Sequence, residues 1–502
     1  MNVLLIYPQF PDTYWSFRYA LSFQGKRAAQ PPLGLLTVAA LLPRSWNKKL
    51  IDTNVERLRD RDLAWADVAF IGGMHVQHRD LIAIARRCRE RGLRTVVGGP
   101  ITSSMPAGEL ECDHIVIGEA ENLIDGLAED LERGTARAVY QNAERPALES
   151  TPAPDLSLIR MRHYSTMTVQ YSRGCPFSCE FCDIIEIYGR RPRTKPVAQV
   201  LAELDQLYAA GWRGPVFIVD DNFIGNKVQA RVLLAAIREW QAAHGSAFRF
   251  ITEASLNLAD DPGLMQAMQD AGFASVFLGI ETPDESSLAA TNKLQNTRRD
   301  LLESVSRIQA YGIEVMGGFI LGFDTDREDV FDRLVEFIEK SAIPVAMVGL
   351  LQAMPGTQLF RRLSREGRIL DNGGGNNTDC QLNFRPRMHA DRLLAGYRSV
   401  LRRIYSSESY YQRVRLYLIR CRPRDRGDFS FSNLRALFLS VLRQGVFGRS
   451  RTSYWKFLLA AATRYRRSFG AAMTMAVMGY HFQVITEQIV RGEVTSGTAP
   501  VL

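Results

Sequence analysis

Three cysteines stand close together in "SRGCPFSCEFCDI", Ser172 to Ile184: three residues separate Cys175 from Cys179, and two separate Cys179 from Cys182. Thiolates at this spacing point to a metal, but three is an unusual number of ligands. A structural zinc site takes four ligands from paired Cys or His spacings, and no second pair follows; the nearest histidine is His163. A closed four-iron cluster also takes four thiolates. Three from one loop leave one iron without a protein ligand. An open position on a redox metal is a place for a substrate or cosubstrate. Cys88, Cys112, Cys380 and Cys421 are scattered and read as small buried hydrophobes. Seven cysteines in 502 residues are too few for a disulfide scaffold.

The elements around this loop read as an α/β series. Strands are expected at 168–171, 216–219, 248–252, 275–278, 315–321 and 346–351, separated by helical patterns such as 197–210 and 329–341. Six βα repeats over residues 167–370 predict a partial (β/α)6 barrel with its chemistry at the carboxyl ends of the strands. The cysteine loop follows the first of them. Residues 1–135 form an earlier series, in which "VLLIY", "VAFIGG", "RTVVGG" and "HIVIGE" each end in turn residues. Continuous apolar strands between helices predict a parallel sheet covered on both faces, here a five-stranded, flavodoxin-like doubly wound domain. Its strand ends carry Pro8, Met74, His75, Gly98, Gly99, Gly118 and Glu119. Glycines there let a backbone approach a bulky ligand. His75 and His78 read as solvent-facing histidines at a helix start. Residues 136–166, with three prolines in "RPALESTPAPDLSLI", read as an extended linker, and "DNGGGNNTDC", Asp371–Cys380, as a flexible break. Residues 380–502 read as a mostly helical domain.

Net charge is +8 and uneven: residues 380–470 hold 20 Lys and Arg against 4 Asp and Glu. Arg interleaved with Tyr, Leu and Ile suits a solvated helical face, an anionic membrane surface or nucleic acid. The apolar clusters "YWKFLLAAATRY" and "AAMTMAVMGYHF" favour lipid over nucleic acid and equally suit a helix-packing core. The start, "MNVLLIYPQF", has no basic leader and reads as a buried strand rather than a signal peptide. The most apolar late segment, Ala471–Ile485, is shorter than the roughly 20 residues of a membrane span. The expected setting is cytoplasmic, with peripheral contact at the inner membrane face.

The C-x3-C-x2-C spacing, with Phe181 before the last cysteine and a strand before the loop, resembles the radical S-adenosylmethionine (SAM) superfamily. The resemblance implies a [4Fe–4S] cluster on Cys175, Cys179 and Cys182. SAM chelates the open iron and is cleaved to a 5′-deoxyadenosyl radical by an electron that an external donor supplies. Strand ends resembling that family's SAM contacts hold Asp221 in "VDDNF", Glu253 and Ser255 in "TEASLN", Gly279 and Glu281 in "LGIETPDE", and Gly317 and Gly318 in "GGFILGF". With Phe181 these are the candidate SAM residues. No acid, base or nucleophile is singled out.

A flavodoxin-like domain ahead of such a barrel resembles the cobalamin-binding class of the superfamily. "VVGGPITSS" resembles the loop that takes the cofactor's nucleotide tail and adds Ser103 to the strand-end candidates. The Asp-x-His-x-x-Gly motif that gives cobalt a histidine in some cobalamin proteins is absent. "PPLGLLTVAALLP", "GWRGPVFIVDDNFIGNK" and "MVGLLQAMPGT" resemble one subgroup, to which the hopanoid C-2 methylases also bear a resemblance. The resemblance implies methylation of an unactivated carbon of a small molecule or lipid, with one SAM as methyl source and a second as radical source. Radical cyclisation, oxidation or rearrangement without methyl transfer stays open at this point, as does a non-catalytic cobalamin or electron-transfer protein.

Overall fold

Every second residue of β1 (Asn2–Tyr7) joins a different core. Val3 and Leu5 pack with Phe70, Val96 and Leu127, whereas Leu4 and Ile6 pack with Leu81, Ile84 and Ile115. That is why the strand is apolar throughout: helices cover both faces of its sheet. The remaining strands are β2 (Asn47–Asp52), β3 (Val68–Gly72), β4 (Arg94–Gly98), β5 (His114–Ile117) and β6 (Val139–Gln141), all parallel in the order β2-β1-β3-β4-β5-β6. The computed structural model describes residues 1–105, 107–142, 144–423 and 431–493. Residues 424–430, within the basic stretch 380–470, lie outside them.

The sheet has six strands where five were expected, because β6 lies inside the stretch read as linker. This edge strand has three residues, exposed, buried, exposed, and only Tyr140 enters the core. It therefore lacks the apolar run that marks its neighbours.

The second sheet is parallel too. Its strands are β7 (Met167–Val169), β10 (Pro215–Ile218), β11 (Arg249–Ala254), β12 (Phe273–Glu281), β13 (Glu314–Leu321) and β14 (Ala346–Leu350), in that spatial order. The end strands β7 and β14 do not pair with one another, so the barrel is open. A two-stranded ribbon, β8 (Ser172–Arg173) with β9 (Arg193–Thr194), brackets the cysteine loop.

The C-terminal part is helical: Ala390–Ile404, Ser407–Cys421, Phe431–Ser440, Arg451–Thr463 and Phe469–Arg491. It shares a core with the barrel and the first loop. Arg413 is fully buried and pairs with Glu339 at 2.6 Å, and the Tyr14 hydroxyl meets that of Thr486 at 2.9 Å. Among the described residues no helix is long and apolar enough to cross a membrane.

The glycine-rich 371–380 segment is a docked connector, contrary to expectation. The Gly373 carbonyl accepts from His75 Nε2 at 2.9 Å, and Leu350 N–H donates to the Asn377 carbonyl at 2.8 Å. Gly373 and Gly375 adopt φ of 69° and 68°. A side chain on Gly375 would collide with the His75 ring at 2.7 Å. The glycines permit close approach here as well as turning.

Candidate active site

Gly174, at φ 95°, turns the chain from β8 into the cysteine loop, where a side chain would strike the Gly189 carbonyl at 2.8 Å. Cys175 and Cys182 are partly buried and Cys179 is buried. Two amides reach the sulfurs: Asn222 Nδ2 donates to Cys175 Sγ at 3.7 Å and Gln295 Nε2 to Cys179 Sγ at 3.5 Å. Burial pushes the thiols of Cys175 and Cys182 up, so both are neutral at pH 7 without a metal. A bound cation would reverse that, since a coordinating thiol is deprotonated outright. Among the described residues no three His, Cys, Asp or Glu side chains converge as chelators of one ion. A four-iron cube makes no such demand, because each thiolate takes its own corner.

Lys293 stands beside this loop. Its Nζ lies 2.6 Å from Glu281 Oε1 and 5.8 Å from the centre of the Phe181 ring. Burial opposes the ammonium charge, but Glu281 and then Cys179 outweigh it and hold Lys293 protonated. Glu281 sits at φ 68°, where β12 and β13 slip register after Gly279. A non-glycine backbone of this kind costs on the order of 1–3 kcal/mol, and here it turns the carboxylate onto Lys293. Glu281, expected as a SAM contact, is thus committed to an ion pair.

Asp221 and Glu253 are different. Asp221 accepts from Gly174 N–H at 3.1 Å, and neither carboxyl makes an ion pair among the described residues. Burial, with Asp220 and Asp183 nearby, pushes Asp221 up to about 7. Burial, with Asp221 and Asp220, pushes Glu253 up to about 8. Two carboxyls in this state are set to receive a cationic ligand, whose charge would ionise them. Neighbouring Asp220 is taken by Tyr171 N–H at 2.8 Å and the Ser172 hydroxyl at 2.7 Å, so it anchors the loop.

Both carboxyls face a cavity of about 3670 Å³ that runs between the two sheets and into the barrel. Phe181 and Asp183 of the loop line it, as do Met74, His75, Gly98, Gly99, Ser103, Gly118 and Glu119 of the first sheet. The carboxyl ends of both sheets thus open on one space, far larger than the roughly 300–1,000 Å³ of an ordinary small-molecule site. Inside the barrel Phe277 and Met316 form an apolar stretch of its otherwise mixed wall, and Trp15 covers Phe277 with ring centres 4.7 Å apart.

A family model described as the radical SAM superfamily matches residues 169–338, and one described as a domain of unknown function, DUF4070, matches residues 357–495. The chain is 34% identical to the hopanoid C-2 methylase of Rhodopseudomonas palustris over 98% of its own length and 94% of the relative's. It is a member of the radical SAM superfamily, in the subgroup of that methylase. It is also 42% identical to an uncharacterized methyltransferase of Synechocystis, over 98% of this chain and 93% of that one. A solved structure of the cobalamin-dependent radical SAM enzyme OxsB, with aqua-cobalamin and SAM bound, covers 98% of this chain and 80% of its own at TM-score 0.62 and 16% identity, a likeness of fold. The chain is a radical SAM methyltransferase, of a superfamily whose shared cofactors are a [4Fe–4S] cluster and SAM.

Several candidate residues of this radical SAM enzyme stand elsewhere than expected. Gly317 faces the outer helical layer, where an added side chain would meet Phe319 at 2.8 Å. Gly318 faces inward, but the Phe277 ring fills its space at 2.7 Å. The Glu281–Lys293 pair likewise covers Gly279. The Ser255 hydroxyl donates to Asn257 Oδ1 at 2.6 Å and to Asn222 Oδ1 at 3.3 Å, and so orients the amide on Cys175.

Among the residues expected to meet cobalamin, Gly99 and Gly118 both adopt φ 94°, and the space over Gly118 is open. Those bare strand ends suit a bulky planar group. Pro8 is buried, does not line the cavity, and its carbonyl accepts from Asn54 at 3.2 Å and Gln77 at 2.5 Å. His75 is buried rather than solvent-facing. Its Nε2–H donates to the Gly373 carbonyl and its Nδ1 meets the Ser104 hydroxyl at 2.8 Å, while burial lowers its pKa. Neither ring nitrogen is left for cobalt, in keeping with the missing motif. Glu119 bridges Arg173 and Arg193, each at 2.6 Å, while Glu121 meets Arg173 at 2.8 Å. It joins the first sheet to the cysteine loop, an ion-pair role in place of the expected contact with the cofactor.

Proposed function

We propose that the chain methylates an unactivated carbon of an apolar, lipid-like substrate. The observation that carries this reading is the single cavity into which both sets of strand ends open, with an apolar stretch at Phe277 and Met316 inside the barrel. Cys175, Cys179 and Cys182 hold the cluster, and Asn222 and Gln295 donate to its thiolates. Asp221 and Glu253 bind the cationic SAM beside Phe181. Gly98, Gly99, Ser103 and Gly118 would receive a cobalamin and its nucleotide tail. Bound there, these groups supply the electron, the hydrogen-abstracting radical and the transferable methyl group, and an external donor supplies the electron's source. Trp15, Phe277 and Met316 keep water from the reacting carbon and orient the substrate. The relative's printed activity, hopanoid C-2 methylation, is the model for substrate class. Such a substrate resides in membranes, so the enzyme works in the cytoplasm as a peripheral protein at the inner membrane face.

The test is to incubate the reconstituted enzyme with methyl-labelled SAM, a reductant and a total lipid extract. Label in an apolar polycyclic fraction is the expected result. Label that stays in SAM and its water-soluble products would overturn the substrate class.

A further inference from the structure

Large apolar side chains are exposed in one region out of proportion to the rest of the fold. In the helix Phe431–Ser440 and the turn after it, Leu434, Phe438 and Val446 recur at four- and eight-residue spacing, with Phe447 beside them. In the helix Arg451–Thr463, Trp455 and Leu459 are one turn apart. The Trp455 indole donates to the Gly445 carbonyl at 2.9 Å and joins the two stripes. Phe438, Phe447 and Leu459 are 65%, 75% and 67% exposed. Scattered exposed residues need no explanation, but a contiguous apolar patch marks an interaction surface.

Its charge is as one-sided as its hydrophobicity. Residues 431–486 contain eight Arg and Lys and no Asp or Glu, and Arg449, Arg451 and Lys456 are exposed beside the apolar stripe. Aromatic and aliphatic tips rimmed by cations match the interfacial zone of a bilayer with anionic headgroups. The same helix borders the cavity: Asn433, Ala436 and Leu437 line it, opposite Met473 and Val477 of Phe469–Arg491. The patch therefore adjoins one wall of the reaction chamber.

We propose that this face docks on an anionic phospholipid bilayer and opens the chamber to it, so that a membrane-resident substrate enters between helices 431–440 and 469–491 without crossing water. The proposal deepens the reading above by assigning the docking residues and the substrate's route, and it rests on that reading for the substrate.

Vesicle flotation of the full, cluster-loaded chain tests it, with SAM cleavage to 5′-deoxyadenosine measured on the same samples. The chain should float with phosphatidylglycerol-containing vesicles, float poorly with phosphatidylcholine alone, and lose binding as salt rises. The variant F438S/F447S/L459S should bind more than about tenfold more weakly while cleaving SAM at the parental rate, since it removes only exposed apolar area. R449Q/R451Q/K456Q should bind more weakly and lose most of the salt dependence. Equal flotation of parent and apolar variant would overturn the proposal. So would an apolar-dependent dimer that buries the face, or binding to RNA without binding to vesicles. A chain that cleaves SAM and does not float refutes the docking face alone; one that floats and does not cleave SAM refutes the chemistry alone.

Discussion

Lys293 and Glu253 are the residues where charge at the site can be tested one group at a time. Lys293 is a cation whose charge is felt at Cys179 and Cys182. A positive charge beside an iron–sulfur cluster favours its reduced form. The K293Q variant, which removes the positive charge alone and leaves an amide to donate to Glu281, should keep the cluster's visible absorption. Its midpoint potential should fall by on the order of tens of millivolts in a redox titration read by EPR. An unchanged potential would remove Lys293 from that role. For Glu253 the sign follows from its direction. Its carboxyl ionises near the ordinary value of 4.5 when the chain is unfolded and only at about 8 when folded. Between those values the folded state holds the extra proton, so this residue erodes stability as pH rises. The slope is up to about 1.4 kcal/mol per pH unit for one group. Cofactor-free E253Q should lose less stability than the parent between pH 5 and about 8 in denaturant titrations. Parallel curves would show that Glu253 does not carry the burial described.

At the scale of elements, the join between the first sheet and the cysteine loop rests on Glu119 and Glu121 with Arg173 and Arg193. Removing one partner of a buried network leaves charge uncompensated and costs about 3–5 kcal/mol. E119Q should show that loss in denaturant unfolding. Loosening this join should also raise 5′-deoxyadenosine relative to S-adenosylhomocysteine, because radical formation no longer waits on the first sheet. A destabilised variant with unchanged product ratio would make the network structural only. How far such elements were legible varied with the physics. β1, β3, β4 and β5 announce themselves because a strand covered on both faces must be apolar throughout; the barrel strands, which alternate as in β13, are marked by the helical patterns between them. β2 begins with polar Asn47 and Lys48, and β6 is a three-residue edge, so neither carries that signal. The glycines of β12 and β13 were legible as a feature but not as a role. Whether Gly317 faces inward depends on strand register, and a glycine carries no side chain to betray its face. Asn222 and Gln295 reach sulfurs 47 and 116 residues away in sequence, and Lys293 meets the same loop from the segment after the helix Glu285–Ala290. Contacts of that range leave no local pattern. The Asp371–Cys380 composition correctly marks irregular backbone but says nothing about what the backbone docks against; only the fold brings Gly373 to His75.

Across the whole molecule, three parts converge on one chamber: the first sheet supplies bare strand ends, the barrel the thiols and carboxyls, and the C-terminal helices an apolar wall with a basic, exposed rim. This division of labour makes methyl transfer and radical formation interdependent. The central claim is that both happen in this one chamber, so each turnover consumes two SAM molecules by different routes. The most direct measurement is a product count from the reconstituted, cobalamin-loaded chain turning over its substrate under a reductant. Equal amounts of 5′-deoxyadenosine and S-adenosylhomocysteine, both lost in C175A, are the predicted result. Sustained 5′-deoxyadenosine with no S-adenosylhomocysteine would contradict the account.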